Sequence, residues 1–249
     1  MGQEVSVTET PACGRKRWLR MLCLSGHASK SEITEMQTMH LQLAELHGVK
    51  LDFIDGPFNI DTAYEPAIQE YLDGPFCTWA DPQLSRQMSR QHFGEAIQHV
   101  LDAAYERGPF DGLYGFSMGA LVAALASEFL EASLDQFSNA PSLVDSPPEG
   151  LPRLQNNMVP WRFMLAACGT CLDASEQGAR PLRVNMPSFH IFGAHDSIRD
   201  RSLRLSQCFQ DAVCQELMYA AHAVPNPCLT DASLTSALSK FFDRMHAAC

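Results

Sequence analysis

Six short apolar segments alternate with helical patterns along this chain, and that alternation limits its fold more than any other feature. Leu19 to Ser25 is an apolar run stopped by Gly26, and it reads as a buried strand. Ser31 to His47 carries Ile33, Met36, Met39, Leu43 and Leu46 at helical spacing, with Ser31 as its N-cap and Gly48 at its end. Val49 to Ile54 is the next strand, broken by Asp55-Gly56-Pro57. Strand, helix and strand joined by short connections form a βαβ unit, and two strands joined that way lie parallel. The pattern resumes with a helix at 89–105 and strands at Asp111–Phe116, Trp161–Ala167, Pro187–Phe192 and Cys214–Tyr219. Helices are expected over Met118–Glu131, Arg201–Asp211 and Thr230–His246. The fold class this implies is α/β: a doubly wound, mostly parallel sheet of about six strands with helices on both faces.

Two stretches interrupt the alternation. Residues 55–89 and 133–160 are rich in proline and hold no sustained period, so they read as lid-like excursions from one domain spanning 18–249. Their aromatics, Phe58, Tyr64, Tyr71, Phe76, Trp79, Phe137 and Trp161, point to an apolar substrate wall, with Trp79 and Phe58 as substrate-binding candidates. Residues 1–17 read as a flexible tail that opens Met1-Gly2-Gln3-Glu4-Val5-Ser6, a formal match to the N-myristoylation pattern. One acyl chain gives marginal membrane binding, and no apolar run approaches the roughly 20 residues that span a bilayer. The chain has 18 Lys+Arg against 29 Asp+Glu, a net charge of −11, which argues against a nucleic-acid partner. Nine scattered cysteines without a secretory leader fit free thiols in the cytoplasm. Cys168 and Cys171 form a CxxC without a second ligand pair at zinc spacing, so no metal is expected there.

The sharpest chemical signal is Gly115-Phe116-Ser117-Met118-Gly119, lying between an expected strand and an expected helix. That is the setting of a G-x-S-x-G nucleophile elbow, in which a tight turn lifts the serine hydroxyl beyond the sheet. The helix N-terminus beneath it offers free N–H groups and the positive end of a dipole to an oxyanion. A serine needs a base, and the base an orienting acid, in the chain order Ser, Asp, His on this fold. Asp196 follows the fifth expected strand and His222 the sixth, both at the sheet edge where parallel sheets build their sites. Asp173, after the fourth strand, is an alternative acid, and Asp200 is less well placed. His195 reads as a loop residue, His246 as a surface one and His190 as a histidine within the sheet. The oxyanion donors are expected to be the N–H of Met118 and one from the loop after the first strand, at His27 or Ala28. That loop lies near Ser117, so a side-chain base role for His27 is the lesser alternative.

Several of these segments together resemble the fungal serine hydrolase family of α/β hydrolases, which also has animal members. The likeness runs from about Leu19 to the end. It rests on Leu22-Cys23-Leu24-Ser25-Gly26, Ile54-Asp55-Gly56-Pro57, Trp79, Gly108-Pro109-Phe110-Asp111-Gly112 and the elbow through Ala120. It continues in Pro187 to Gly193 leading to Asp196, and in His222-Ala223-Val224-Pro225. The resemblance implies a Ser117–Asp196–His222 hydrolase of carboxylic esters or thioesters, working through an acyl-enzyme without a cofactor. It also implies, as an alternative, a thioesterase releasing a polyketide acyl chain from an acyl carrier protein in secondary metabolism. Apart from the resemblance, ligand binding or acyl transfer on the same scaffold are rival readings, since a fold does not fix its function and the triad serves water and other acceptors equally. The family usually has His where this chain has Ser25 and an aromatic where it has His27, which bears on the second oxyanion donor.

Overall fold

In the computed structural model, which describes residues 17–83, 89–139, 158–173, 181–224 and 232–248, six parallel strands form one sheet. They are β1 (Leu19–Leu24), β2 (Val49–Ile54), β5 (Gly112–Phe116), β6 (Phe163–Ala167), β7 (Val184–Gly193) and β8 (Phe209–Leu217), in the order β2-β1-β5-β6-β7-β8. β3 (Phe58–Ile60) and β4 (Phe76–Thr78) make a small antiparallel pair apart from it. The expected tail through Lys16 with Gly2, most of the second excursion and Pro225 lie outside the described residues, as do Cys13, Cys228 and Cys249.

Alternation along the strands divides the core in two. Leu22 and Leu24 of β1 and Met164 and Ala166 of β6 face one apolar cluster, with α3 (Gly94–Arg107) and α4 (Met118–Asn139). Leu19, Met21 and Cys23, with Phe163 and Leu165, face the other, against α6 (Ala232–Ala247). A strand covered on both faces needs apolar residues at nearly every position, which is why β6 reads as an unbroken apolar run and β1 is interrupted only by the half-exposed Arg20. The order of strands places the switch in winding direction between β1 and β5. Ligands on parallel sheets bind outside the carboxyl ends of the strands at such a point. At the opposite end Asp111, before β5, accepts from Arg20 N at 2.9 Å and from Arg162 Nη2 at 2.8 Å, and pairs with Arg17. Burial pushes its pKa up, but these donors outweigh burial and hold the carboxyl below its usual range.

Several expected boundaries move. α4 runs on to Asn139, past the helix end expected at Glu131 and into the excursion expected from 133, because its Ala/Leu-rich pattern meets no proline before Pro141. The helix over Ser31–His47 is two helices, α1 (Ser31–Met39) and α2 (Leu43–His47), separated where Gln42 takes φ 48°. Thr34, Thr38 and Leu41 share one face and are buried, and Leu43, two positions on, would point away from that face in a continuous helix. The break turns Leu43 inward and leaves Met36, Met39 and Leu46 exposed, so they are not the buried stripe expected. Ser31 is the first helical residue rather than the cap, and its N–H is met by Asp55 Oδ1 at 2.6 Å. The helix expected to Asp211 stops at Ser206 as α5 (Arg199–Ser206), and β8 begins at Phe209. β8 is an edge strand with exposed polar positions, so no apolar run marked its start.

Candidate active site

The elbow is built by close approach. A Cβ on Gly115 would lie 2.4 Å from Ala120 Cα, and one on Gly119 would lie 2.3 Å from Ser25 O and 2.6 Å from Leu24 O. Neither position tolerates a side chain, because α4 must pass directly over the ends of β5 and β1. Ser117, between them, holds φ 52°, a conformation that costs a non-glycine residue on order of 1–3 kcal/mol and persists where the surroundings impose it. Its N–H donates to Ala167 O at 2.9 Å, and its carbonyl accepts from Ala120 N and Thr170 N, each at 3.2 Å. Met118 opens α4, so its N–H has no partner within the helix.

His222 Nε2 lies 3.0 Å from Ser117 Oγ, and His222 Nδ1 lies 2.9 Å from Asp196 Oδ2. The carboxylate only accepts, so the Nδ1–H donates to it and Nε2 is left to accept from the Ser117 hydroxyl. Asp196 follows β7 and its side chain is fully buried. Its other oxygen accepts from Ile198 N at 2.9 Å, which fixes the carboxylate plane from the approach to α5. The imidazole packs beside Phe116 (5.2 Å between centroids) and under Tyr64 (6.0 Å). Ser117, Asp196 and His222, which follow three different strands, thus converge within hydrogen-bond reach.

The loop after β1 faces the same space. His27 and Ala28 both line a cavity of about 320 Å³ together with Ser117, Met118 and His222. The His27 ring turns aside, with Nδ1 2.7 Å from Thr78 Oγ1, and burial lowers its pKa. The imidazole beside Ser117 is that of His222, so the lesser base role for His27 is not supported by position. Strand β4 straps this loop: Ser29 N donates to Cys77 O at 3.1 Å, Cys77 N to Ser29 O at 2.8 Å, and Trp79 Nε1 to Ser25 O at 2.7 Å.

Trp79 accordingly departs from its expected role. It is wholly buried behind the loop and does not line the cavity, because its indole N–H is spent on Ser25 O. Phe58, half-buried on β3, also stands away from the cavity. Among the other aromatics Tyr64 lines it, Tyr71 faces solvent, and Phe76 and Trp161 are core; the Phe137 side chain lies outside the described residues. Asp173 is engaged by Arg201 and Arg204, Asp200 pairs with Arg199, and His195 is exposed. His246 Nε2 meets His47 O at 2.8 Å, and His190 is buried in the sheet with its pKa pushed down to about 3 by burial. Ile33, Ile68, Thr170 and Arg201 line the cavity without having been singled out. Thr170 follows a strand at the carboxyl edge, a placement that could have flagged it; the others carried no such signal.

Cys168 and Cys171 face different neighbours: Cys168 Sγ donates to Ala223 O at 3.5 Å, and Cys171 meets Cys208. Cys168, Asp196 and His222 present ligand atoms within 4.8 Å of one another, the metal-like grouping among the described residues. Asp196 and His222 are committed to each other, and burial, with the Asp196 charge beside it, pushes the Cys168 thiol far up. A protonated thiol is a poor ligand. No helix among the described residues is long and apolar enough to cross a membrane.

A serine on a strained strand-to-helix turn, beside an imidazole backed by a buried carboxylate, on a doubly wound parallel sheet, defines an α/β hydrolase. The sequence profile of the serine hydrolase (FSH1) family matches residues 16–231, and the chain belongs to that family. It is 28% identical over 216 residues to Esterase FUS5 of Gibberella moniliformis, covering 83% of this chain and 79% of that one. It is 25% identical over 246 residues to Esterase OVCA2 of Mus musculus, covering 92% and 97%. The fold is shared with the crystal structure of esterase PE8 (TM-score 0.54, 16% identity, 95% and 96% covered). It is shared as well with Zea mays acyl-protein thioesterase 2 (TM-score 0.54, 14% identity, 93% and 95% covered). The chain is a serine hydrolase of the esterase kind.

Proposed function

We propose that this chain hydrolyses carboxylic esters with Ser117 as nucleophile, His222 as general base and acid, and Asp196 as the orienting acid. The observation that carries this reading is the unbroken relay from Asp196 Oδ2 through His222 to Ser117 Oγ, at 2.9 and 3.0 Å. As Ser117 attacks the carbonyl, His222 Nε2 takes its proton, and Asp196 stabilises the imidazolium that results. The N–H of Met118 and one from His27 or Ala28 receive the developing oxyanion, held in place by the helix start and the β4 strap. The imidazolium returns its proton to the departing alcohol oxygen, leaving an acyl-enzyme. Water, deprotonated by the same imidazole, then releases the acid. Every step uses groups of this chain and water alone, so the reading calls for no cofactor.

A thioester is cleaved by the same groups, since only the leaving atom changes. Release of a polyketide acyl chain from a carrier protein is the narrower reading within this chemistry, and acyl transfer differs only in the attacking nucleophile. A cytoplasmic setting belongs to the proposal and is supported by the free thiols of six cysteines among the described residues. The test is fluorophosphonate labelling of the intact chain, with a panel of acyl esters and thioesters of graded length and Ser117→Ala as the blank. Labelling and turnover that vanish in Ser117→Ala are expected; a panel hydrolysed equally by both proteins would sink the mechanism.

A further inference from the structure

The cavity over Ser117 has two unlike walls. Ile33 of α1, Ile68 and Ala28 give it an apolar side. Thr170, in the loop after β6, and Arg201, in the first turn of α5, give it a polar one. Thr170 is 7% exposed, and its N–H donates to Ser117 O, so it is fixed against the elbow. Its hydroxyl has no hydrogen-bond partner among the described residues, and the residue lines the cavity. Arg201 Nη2 donates to Asp173 Oδ2 at 2.7 Å, while Arg204 Nη2 takes the other oxygen, Oδ1, at 2.7 Å. Two guanidinium groups thus share one carboxylate, and the group carries a net positive charge. Arg201 spends one N–H there out of the five a guanidinium offers, and it is Arg201 rather than Arg204 that lines the cavity. The acidic residue on the cavity wall, Glu65, is exposed on the rim, where water screens it.

We propose that Thr170 and Arg201 form a subsite for an anionic group of the substrate, a carboxylate or a phosphate, with the alkyl portion lying against Ile33 and Ile68. A planar fork of N–H donors matches the spacing of carboxylate and phosphate oxygens, and a half-buried setting weakens its competition from water. The inference rests on Ser117 being the nucleophile, and it deepens that reading by naming a substrate class: acidic esters or thioesters rather than neutral ones. Arg201 is the specificity-determining residue. Its removal leaves Asp173 paired with Arg204, and Ser202 Oγ still ties α5 to Gly169 O at 2.7 Å, so the wall retains its supports.

The test separates binding from turnover. On the inert Ser117→Ala protein, titration calorimetry compares monomethyl glutarate with methyl valerate, and butyryl-4′-phosphopantetheine with butyryl-pantetheine. The first pair places the charge on the acyl side, the second on the leaving group. In one pair the anionic member is expected to bind at least about tenfold more tightly. That preference should fall below about threefold when Arg201→Met is added, and return in part with Arg201→Lys. A preference absent from both pairs, or one that survives Arg201→Met, overturns the subsite. Hydrolysis of the same ligands by the protein with Ser117 intact is scored separately. Turnover without a charge preference removes the subsite alone, whereas a charge preference without turnover leaves an anion-binding site at Arg201 and overturns the esterase reading on which the substrate class rests.

Discussion

Replacing Trp79 by Phe distinguishes a clamp from a pocket wall. The indole is wholly buried and its N–H is bonded to the equally buried Ser25 O at 2.7 Å. Phenylalanine fills most of the ring volume but strands that carbonyl, at a cost of about 1–3 kcal/mol. The void left by the missing ring atoms adds about 1–2 kcal/mol, less than a truncation to alanine would. For a chain of this size a loss of about 2–5 kcal/mol lowers Tm by about 5–15 °C. The kinetic consequence comes from position, since Ser25 lies just before His27 and Ala28. Removing an oxyanion donor outright costs about 10²–10³ in kcat, and loosening the loop that carries one should cost about tenfold. The assay is hydrolysis of 4-nitrophenyl esters from acetate to decanoate, with a thermal melt in parallel. A clamp lowers kcat by the same factor for every chain length and leaves KM nearly unchanged. A KM that rises selectively for long acyl chains would refute the clamp and restore Trp79 to the pocket, and so would a lowered Tm with unchanged kcat.

Three further perturbations have calculable outcomes. Asp196→Asn keeps an acceptor for Ile198 N but presents the wrong group to His222 Nδ1; kcat should fall about 10³–10⁴-fold with little change in the melt, and a loss under tenfold would exclude Asp196 as the orienting acid. Gly119→Ala sets a methyl 2.3 Å from Ser25 O and must push β1 and α4 apart; a melt lowered by about 1–3 kcal/mol equivalent and reduced ester turnover are expected, and a wild-type melt would contradict the close approach. His190 has a folded pKa of about 3, below the ordinary value, so the unfolded chain takes up the proton first. Stability from this group is therefore complete above about pH 6.5 and drains away as pH falls toward 3, with about 2 kcal/mol gone at pH 5. His190→Gln should flatten that acid limb in melts compared at pH 7 and pH 5; an unchanged limb would place the acid sensitivity elsewhere.

What could be read in the chain follows from how many neighbours set each residue's role. β1, β5 and β6 are covered on both faces, so their apolar runs declare them. β8, at the edge, is half solvated and hid its first residues among polar ones. Ser117, Asp196 and His222 were legible because a parallel sheet delivers every strand's carboxyl end to one edge, so chain order alone brings them together. Trp79 was misread because composition shows that an aromatic lies in an excursion but not what it meets: the Ser25 carbonyl is 54 residues away. Arg201 was invisible for the same reason, since on its own helix it is one charge among several, and it acquires meaning only beside Ser117. The net charge of −11 illustrates the limit from the other side. A sum over the surface steers encounters and aids solubility, whereas interactions fade beyond about 8 Å in physiological salt. The field at the reacting carbonyl is set by the groups within that distance, and there an acidic protein sets an arginine on the cavity wall.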